Sequence, residues 1–367
     1  MVRPLKINQV MFTSLKLNHI IKWMIPAMVS LLLGCSSTME VSKTYAPEVE
    51  SDIDYTIIYY VHADSDYQFT DTSGNKIRDN STVITTAIMV AEQAVSGEVF
   101  IFHQKPNKKL LGLFPRKLSR FYYFRNGVEV KDTRYRYTDP SEKFLSSEAS
   151  LFKQHRVNVN SKTMFLYFGH ELPEVSKPGY HQSLPFIAVD MNTFSSGLGG
   201  FNQKQTHFEL IVLSTCNNGT PEAILKLLPF AKVLLASPQN LHLSHIDSRS
   251  MNLLESEPHI SPLLLAKTMA EETFKRLKAQ THSTITLSVF DFNEIGKYRE
   301  ELYDFSISQQ SSQRNIMAYD NYDCSGVGSF DSKIFGQGVT TWYREARFGR
   351  RTHNNIHSGW GCKPIAE

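Results

Sequence analysis

The sequence predicts an α/β fold, a mostly parallel sheet with helices on both faces, from three observations. Short apolar runs recur without the in/out alternation of a one-sided strand, as expected of strands buried on both faces. Stretches of helical character separate these runs, the order of repeated βαβ units. Chemically active residue types stand directly after two of the runs, where open parallel sheets collect their functional groups.

The first strand is Tyr55-Thr56-Ile57-Ile58-Tyr59-Tyr60-Val61. A helix is expected from about Ser81 to Ala94, capped by Asp79 or Asn80 and ended near Gly97, with Val99-Phe100-Ile101-Phe102 as the next strand. The pattern then breaks. Lys108, Lys109, Arg116 and Lys117 precede a hairpin whose turn is Arg125-Asn126-Gly127-Val128, so about 105–140 reads as an insertion with a β-hairpin. Thr163-Met164-Phe165-Leu166-Tyr167-Phe168 resumes the core, and after a loop rich in Gly and Ser comes the strand from Phe208 to Leu213. A helix from about Pro221 to Leu228 leads to a strand from Lys232 to Ala236. The clearest helix follows, with Ser261 as N-cap, Pro262 in its first turn, and Leu264, Leu265, Met269 and Leu277 on one side. A last strand, Ser283 to Val289, closes the sheet. The α/β domain therefore spans 53–295, and 296–367 is an irregular C-terminal extension packing on it.

The first 34 residues hold Arg3, Lys6, Lys16 and Lys22 and no acid. Lys16 and Lys22 precede the apolar run from Trp23 to Leu33, the layout of an export signal, and that run is too short to span a bilayer. It ends in Leu32-Leu33-Gly34-Cys35, which resembles the lipobox at which bacterial lipoprotein signals are cut and the new terminal cysteine acylated. Ser36 resembles an outer-membrane sorting signal. The expectation is a signal peptide at 1–34, lipidation at Cys35, a polar linker at 35–52, and a lipid-anchored protein of the bacterial envelope, at the outer membrane. The formal net charge of +3 belongs to the signal: without it 35 bases face 36 acids, which leaves no electrostatic footprint for nucleic acid.

His170 directly follows one core strand, in Tyr167-Phe168-Gly169-His170-Glu171, and Cys216 follows the next, in Leu213-Ser214-Thr215-Cys216-Asn217. If those strands are neighbours, imidazole and thiol face each other at the sheet edge. Cysteine proteolysis asks for that arrangement, in which a thiolate attacks a peptide carbonyl and a nearby imidazole protonates the leaving amine. A backbone N–H at the cysteine's own turn helps hold the oxyanion.

Several segments taken together resemble the clostripain family of cysteine peptidases. Asp54 to Asp64 is similar to its first strand, which ends in Asn-Ala-Asp where this chain has His62-Ala63-Asp64. Cys216, Gly219, Thr220 and Glu222 match its nucleophile region, Leu235-Ala236-Ser237 its Ala-Ser strand end, and Leu287 to Asp291 a later strand. A weaker echo covers Gly338 to Tyr343 and Ser358-Gly359-Trp360. The resemblance implies a caspase-hemoglobinase-like fold over 53–295, catalysis by His170 and Cys216 on a peptide or protein substrate, and an oxyanion held by the backbone at Glu171 and Cys216. It also implies a substrate pocket near Ser214, His242 and Asp247. Two positions depart from the family: Glu171 replaces a glycine after the histidine, and Ser214 replaces an aspartate that helps bind basic side chains. These departures keep a second function open, a catalytically inactive binding or assembly module of the envelope.

Of the other cysteines, Cys324 and Cys362 share the tail and are expected to form a disulfide in an oxidising compartment, which leaves Cys216 as the reactive thiol. His242, His245 and Asp247 have a spacing open to a metal, but their segment is polar and lacks a partner motif, and His353, His357 and Cys362 offer no better set. No metal and no cofactor is expected. The basic cluster from Lys108 to Arg120 is a solvated face, or one that meets anionic lipid headgroups.

Overall fold

All eight residues of strand β1 (Tyr55–His62) are buried, and so are all eight of β2 (Gly97–Gln104). Strands this apolar must be covered on both faces, and alternation divides their side chains between two cores. Ile58 and Tyr60 enter one core with Phe165, Tyr167, Ile211 and Leu213; Ile57, Tyr59 and Val61 enter the other with Met164, Leu166 and Val212. The computed structural model describes residues 53–63, 68–105, 109–110, 114–115, 119–136, 142–181, 183–202, 207–241, 245–304, 306, 322–323, 337–348, 359–360 and 363–364.

Among the described residues the main sheet has nine strands. β3 (Ser119–Arg125), β4 (Val128–Tyr135), β5 (Lys162–Phe168), β6 (Phe208–Ser214), β7 (Ala231–Ala236), β8 (Ile285–Asp291) and β9 (Val339–Arg344) join the first two in the order β9-β8-β7-β6-β5-β1-β2-β3-β4. The five from β7 to β2 are parallel, and the outer strands add antiparallel pairs at each side. The chain runs outward from β1 to β2 in one direction and from β5 to β7 in the other. The strand order therefore reverses between β1 and β5, the place beyond whose carboxyl ends open parallel sheets commonly bind ligands.

Helices α1 (Asp79–Gln93) and α5 (Pro262–Gln280) cover the face that holds Val61, through Val83, Ala87, Val90, Leu265, Met269 and Leu277. On the other face lie α2 (Ser146–His155), α3 (Met191–Leu198) and α4 (Pro221–Leu227), which contribute Phe152, Phe194 and Ile224. This is the mostly parallel, doubly covered sheet that the sequence predicts.

Local details differ from expectation in four places. The first helix begins at Asp79 with Arg78 as N-cap, so Asp79 and Asn80 fall inside its first turn; the Ser81 and Thr82 hydroxyls donate back to the Arg78 carbonyl. The Gly- and Ser-rich stretch before β6 contains α3, started by a capping box in which Asp190 accepts from Thr193 N–H and Thr193 from Asp190 N–H. Leu264 is 52% exposed, because the buried stripe of α5 runs through Leu265, Ala266, Met269, Ala270 and Leu277 and leaves its neighbour at the rim. The sheet does not close at β8 either: β9, from the tail, pairs antiparallel with it, Thr341 opposite Ser288. The hairpin turn has the geometry its sequence asks for, with φ of 52° at Asn126 and 76° at Gly127. That hairpin supplies β3 and β4 and extends the main sheet beyond β2.

Candidate active site

Parallel pairing of β5 with β6 ends with Phe168 opposite Ser214. Beyond the strands the same offset continues through side chains. Gly169 N–H donates to the Ser214 carbonyl at 3.3 Å, and Asn217 Nδ2 donates to Glu171 Oε2 at 3.1 Å. Asn218 acts as a surrogate strand residue: its Oδ1 accepts from Leu172 N–H at 2.9 Å and its Nδ2 donates to the Leu172 carbonyl at 2.8 Å. His170 and Cys216 occupy the matching rung between these fixed pairs. His170 and Cys216 thus stand at equivalent positions on adjacent strand ends, and His170 follows a strand that borders the reversal of strand order.

The cysteine turn is shaped by its own residues. Asn217 has φ of 53°, a left-handed conformation that asparagine tolerates better than most side chains. A Cβ on Gly219 would stand 2.7 Å from Pro238 N, so glycine is required for the close approach of the loop after β7. Asn217 N–H donates to Gln239 O at 3.1 Å and Gly219 N–H to Ser237 O at 2.8 Å, which ties the turn to that loop. Thr220 then caps α4 by accepting from Ala223 N–H, and Pro221 starts the helix.

Cys216 is half-buried. Its Sγ donates to Leu241 O at 3.2 Å and accepts from Leu241 N–H at 3.3 Å. Burial pushes the thiol pKa up; the Leu241 N–H works against that and the nearby Glu171 carboxylate adds to it. Glu171 is itself raised by burial, with the Asn217 bond opposing.

His170 is half-buried, and its carbonyl accepts from the Tyr167 hydroxyl at 3.2 Å. Gly169 before it has no room for a side chain: a Cβ would lie 2.8 Å from Tyr167 Oη and 2.9 Å from His62 Cβ. The Gly-His order is thus set by the close packing of this turn on the end of β1.

The residues expected to line a substrate pocket are placed as follows. Ser214 is fully buried, and its Oγ accepts from Ile246 N–H at 3.2 Å. Asp247 caps the turn at Ser248–Asn252, with Arg249 Nε at 3.0 and 2.9 Å from its oxygens and Arg276 Nε at 3.7 Å. Burial pushes its carboxyl up, but the arginine bonds outweigh this and hold it below the usual carboxylate range. His245 is buried with its ring edge-on to Phe69 at 5.3 Å. Among the described residues no group of three His, Cys, Asp or Glu side chains is arranged to hold a metal ion. His242, Cys35, Cys324 and Cys362 lie outside the described residues, as does Asp64. Sequence reasoning missed Asn217, Asn218 and Leu241 as the groups that fix the site, and His62, His181 and Ser183 behind His170. Only His62 carried a signal, as the last residue of a strand beside the order reversal.

No family model matches this sequence, and no curated protein matches it. Solved structures do. An inactive zymogen of a C11 protease from Parabacteroides distasonis superposes with a TM-score of 0.54 at 13% identity, covering 86% of this chain and 94% of that one. A secreted C11 cysteine protease from Bacteroides thetaiotaomicron gives a TM-score of 0.52 at 12% identity, covering 84% and 93%. The same kind of protease in complex with an irreversible peptide inhibitor gives 0.50 at 12%, covering 85% and 89%. At these identities the likeness establishes architecture: the chain has the caspase-hemoglobinase-like fold of the C11 proteases.

Proposed function

We propose that the chain is a cysteine endopeptidase of the bacterial envelope, with Cys216 as nucleophile and His170 as its base. The observation that supports this reading is the continued pairing of 168–172 with 214–218, which puts His170 and Cys216 at matching positions on neighbouring strand ends. In the reaction His170 takes the Cys216 proton, and the sulfur attacks the carbonyl carbon of a peptide bond. The backbone N–H groups of Cys216 and Glu171 are the candidates to receive the oxyanion. The imidazolium returns the proton to the leaving amine, and a water then hydrolyses the thioester. These steps call for no metal and no cofactor. Labelling of the purified mature protein by a thiol-directed peptidyl electrophile, read by mass at Cys216 with Cys216→Ala as control, tests the reading; no adduct at Cys216 would overturn it. The Glu171 carboxylate beside the thiol favours a second reading, an inactive fold that binds a partner in envelope assembly, and the same experiment separates the two.

Membrane attachment through an acylated Cys35 accompanies this proposal, supported by the short apolar run that ends there. Expressed in a Gram-negative host, the protein is expected to incorporate labelled palmitate and to fractionate with outer membranes. Label retained by Cys35→Ser would refute the anchor.

A disulfide between Cys324 and Cys362 is supported by the short ribbon on which Tyr322 pairs with Pro364 and Asp323 with Lys363, because in the sequence Cys324 directly follows Asp323 and Cys362 directly precedes Lys363. Oxidation of both thiols by an extracytoplasmic disulfide donor would constrain the unfolded chain by roughly 3 to 4 kcal/mol in the loop-entropy account. A non-reduced digest is expected to contain the linked peptide. Recovery of both cysteines as alkylated free thiols contradicts the bridge.

A further inference from the structure

Three imidazoles meet at the carboxyl ends of β1 and β5. His62 is fully buried, and so is His181 from the loop that follows His170. Their rings stack with centroids 4.3 Å apart and planes 23° from parallel, and the His181 ring meets His170 edge-on at 5.5 Å. Ser183 Oγ is hydrogen-bonded to His62 Nε2 at 2.6 Å. The Tyr167 hydroxyl, which donates to the His170 carbonyl, lies 3.4 Å from His62 Nδ1. With that proton committed to the carbonyl, the neutral His62 tautomer that fits carries its hydrogen on Nδ1 and accepts the Ser183 hydroxyl at Nε2.

We infer that His181, stacked on His62, is a positioning residue for His170, and that the stack with its Ser183 bond is an acid-sensitive latch on the loop of residues 171–190. What the latch controls rests on the proposed dyad; the latch itself rests on the ring geometry. The groups facing the stack are Tyr60 from β1, Tyr167 from β5, Phe144 before α2, Tyr180 on the loop itself, and His170. Each is aromatic. Burial, followed by the charges that His181 and His170 would carry, holds the His62 pKa well below its ordinary 6.5. A folded-state pKa below the unfolded one means that His62 stabilises the folded arrangement above about pH 6.5 and that this contribution is lost as pH falls. Acid therefore opens the loop and releases the His170 ring.

Amide hydrogen exchange of residues 171–190 in the full chain, corrected for its intrinsic pH dependence, tests this. Between about pH 8 and about pH 5 the wild type is expected to lose about tenfold more protection than His62→Phe, since phenylalanine keeps a ring in the stack but takes no proton. Ser183→Ala, which spares the stack, is expected to lose protection already at about pH 8. Equal acid responses in the wild type and His62→Phe, or unchanged protection in Ser183→Ala, would overturn the latch. Should the loop open in acid while Cys216 stays inert to the peptidyl electrophile, the dyad fails and the latch stands. Should Cys216 react and the loop ignore pH, the latch alone fails.

Discussion

Replacing His170 by alanine is expected to lower peptide cleavage by about 10²- to 10⁴-fold, the range of a lost general base. The effect belongs at the upper end because the thiol has little else to activate it. Burial and the Glu171 carboxylate both disfavour the thiolate, and the Leu241 N–H works the other way. In the proposed dyad the sulfur gives its proton to His170, which follows the neighbouring strand. Alkylation tests the pairing in another way: if His170 takes the Cys216 proton, iodoacetamide is expected to modify the wild type faster near neutral pH than His170→Ala. Cleavage and alkylation rates are to be measured on both proteins, with circular dichroism to show that the fold persists. Rates within twofold of each other would leave Cys216 an ordinary half-buried cysteine.

Much of the frame behind that prediction was legible in the sequence, for a physical reason. Strands such as Tyr55–His62 bury every side chain, so the runs are apolar throughout and stand out from their surroundings. Thr220-Pro221 and Ser261-Pro262 announce their helices because cap and first-turn residues are chosen by backbone geometry. His170 and Cys216 were readable because a strand end is recognisable and each residue stands two positions past one. What escaped depends on partners far away in sequence. α3 is only Met191–Leu198 and is followed by two glycines, so Met191, Phe194 and Leu198 gave too short a periodic signal. β9 is half-buried along its whole length and is a strand because β8 needs an edge partner. The Asn218 bridge to Leu172 and the stacking of His181 on His62 are side-chain contacts between segments that no local pattern connects.

The same contacts bear on specificity. If the proposed peptidase cleaves, it is expected to favour neutral or small polar side chains before the scissile bond over Arg or Lys. Burying a guanidinium or ammonium without a counter-ion costs several kcal/mol, so a basic preference requires a carboxylate with charge to spare. Ser214 is neutral, fully buried and already bonded to Ile246 N–H. Asp247 has charge, but Arg249 and Arg276 occupy its oxygens, so a basic substrate would have to displace an arginine. Glu171 is bonded to Asn217 and is driven toward its neutral form by burial. A positional-scanning peptide library against the purified enzyme, with Cys216→Ala as blank, measures the preference. Tenfold or greater selection of Arg or Lys, equivalent to about 1.4 kcal/mol, would mean that one of these acids is released on substrate binding or that another fills the pocket, and the assignment of specificity to Ser214 would be wrong.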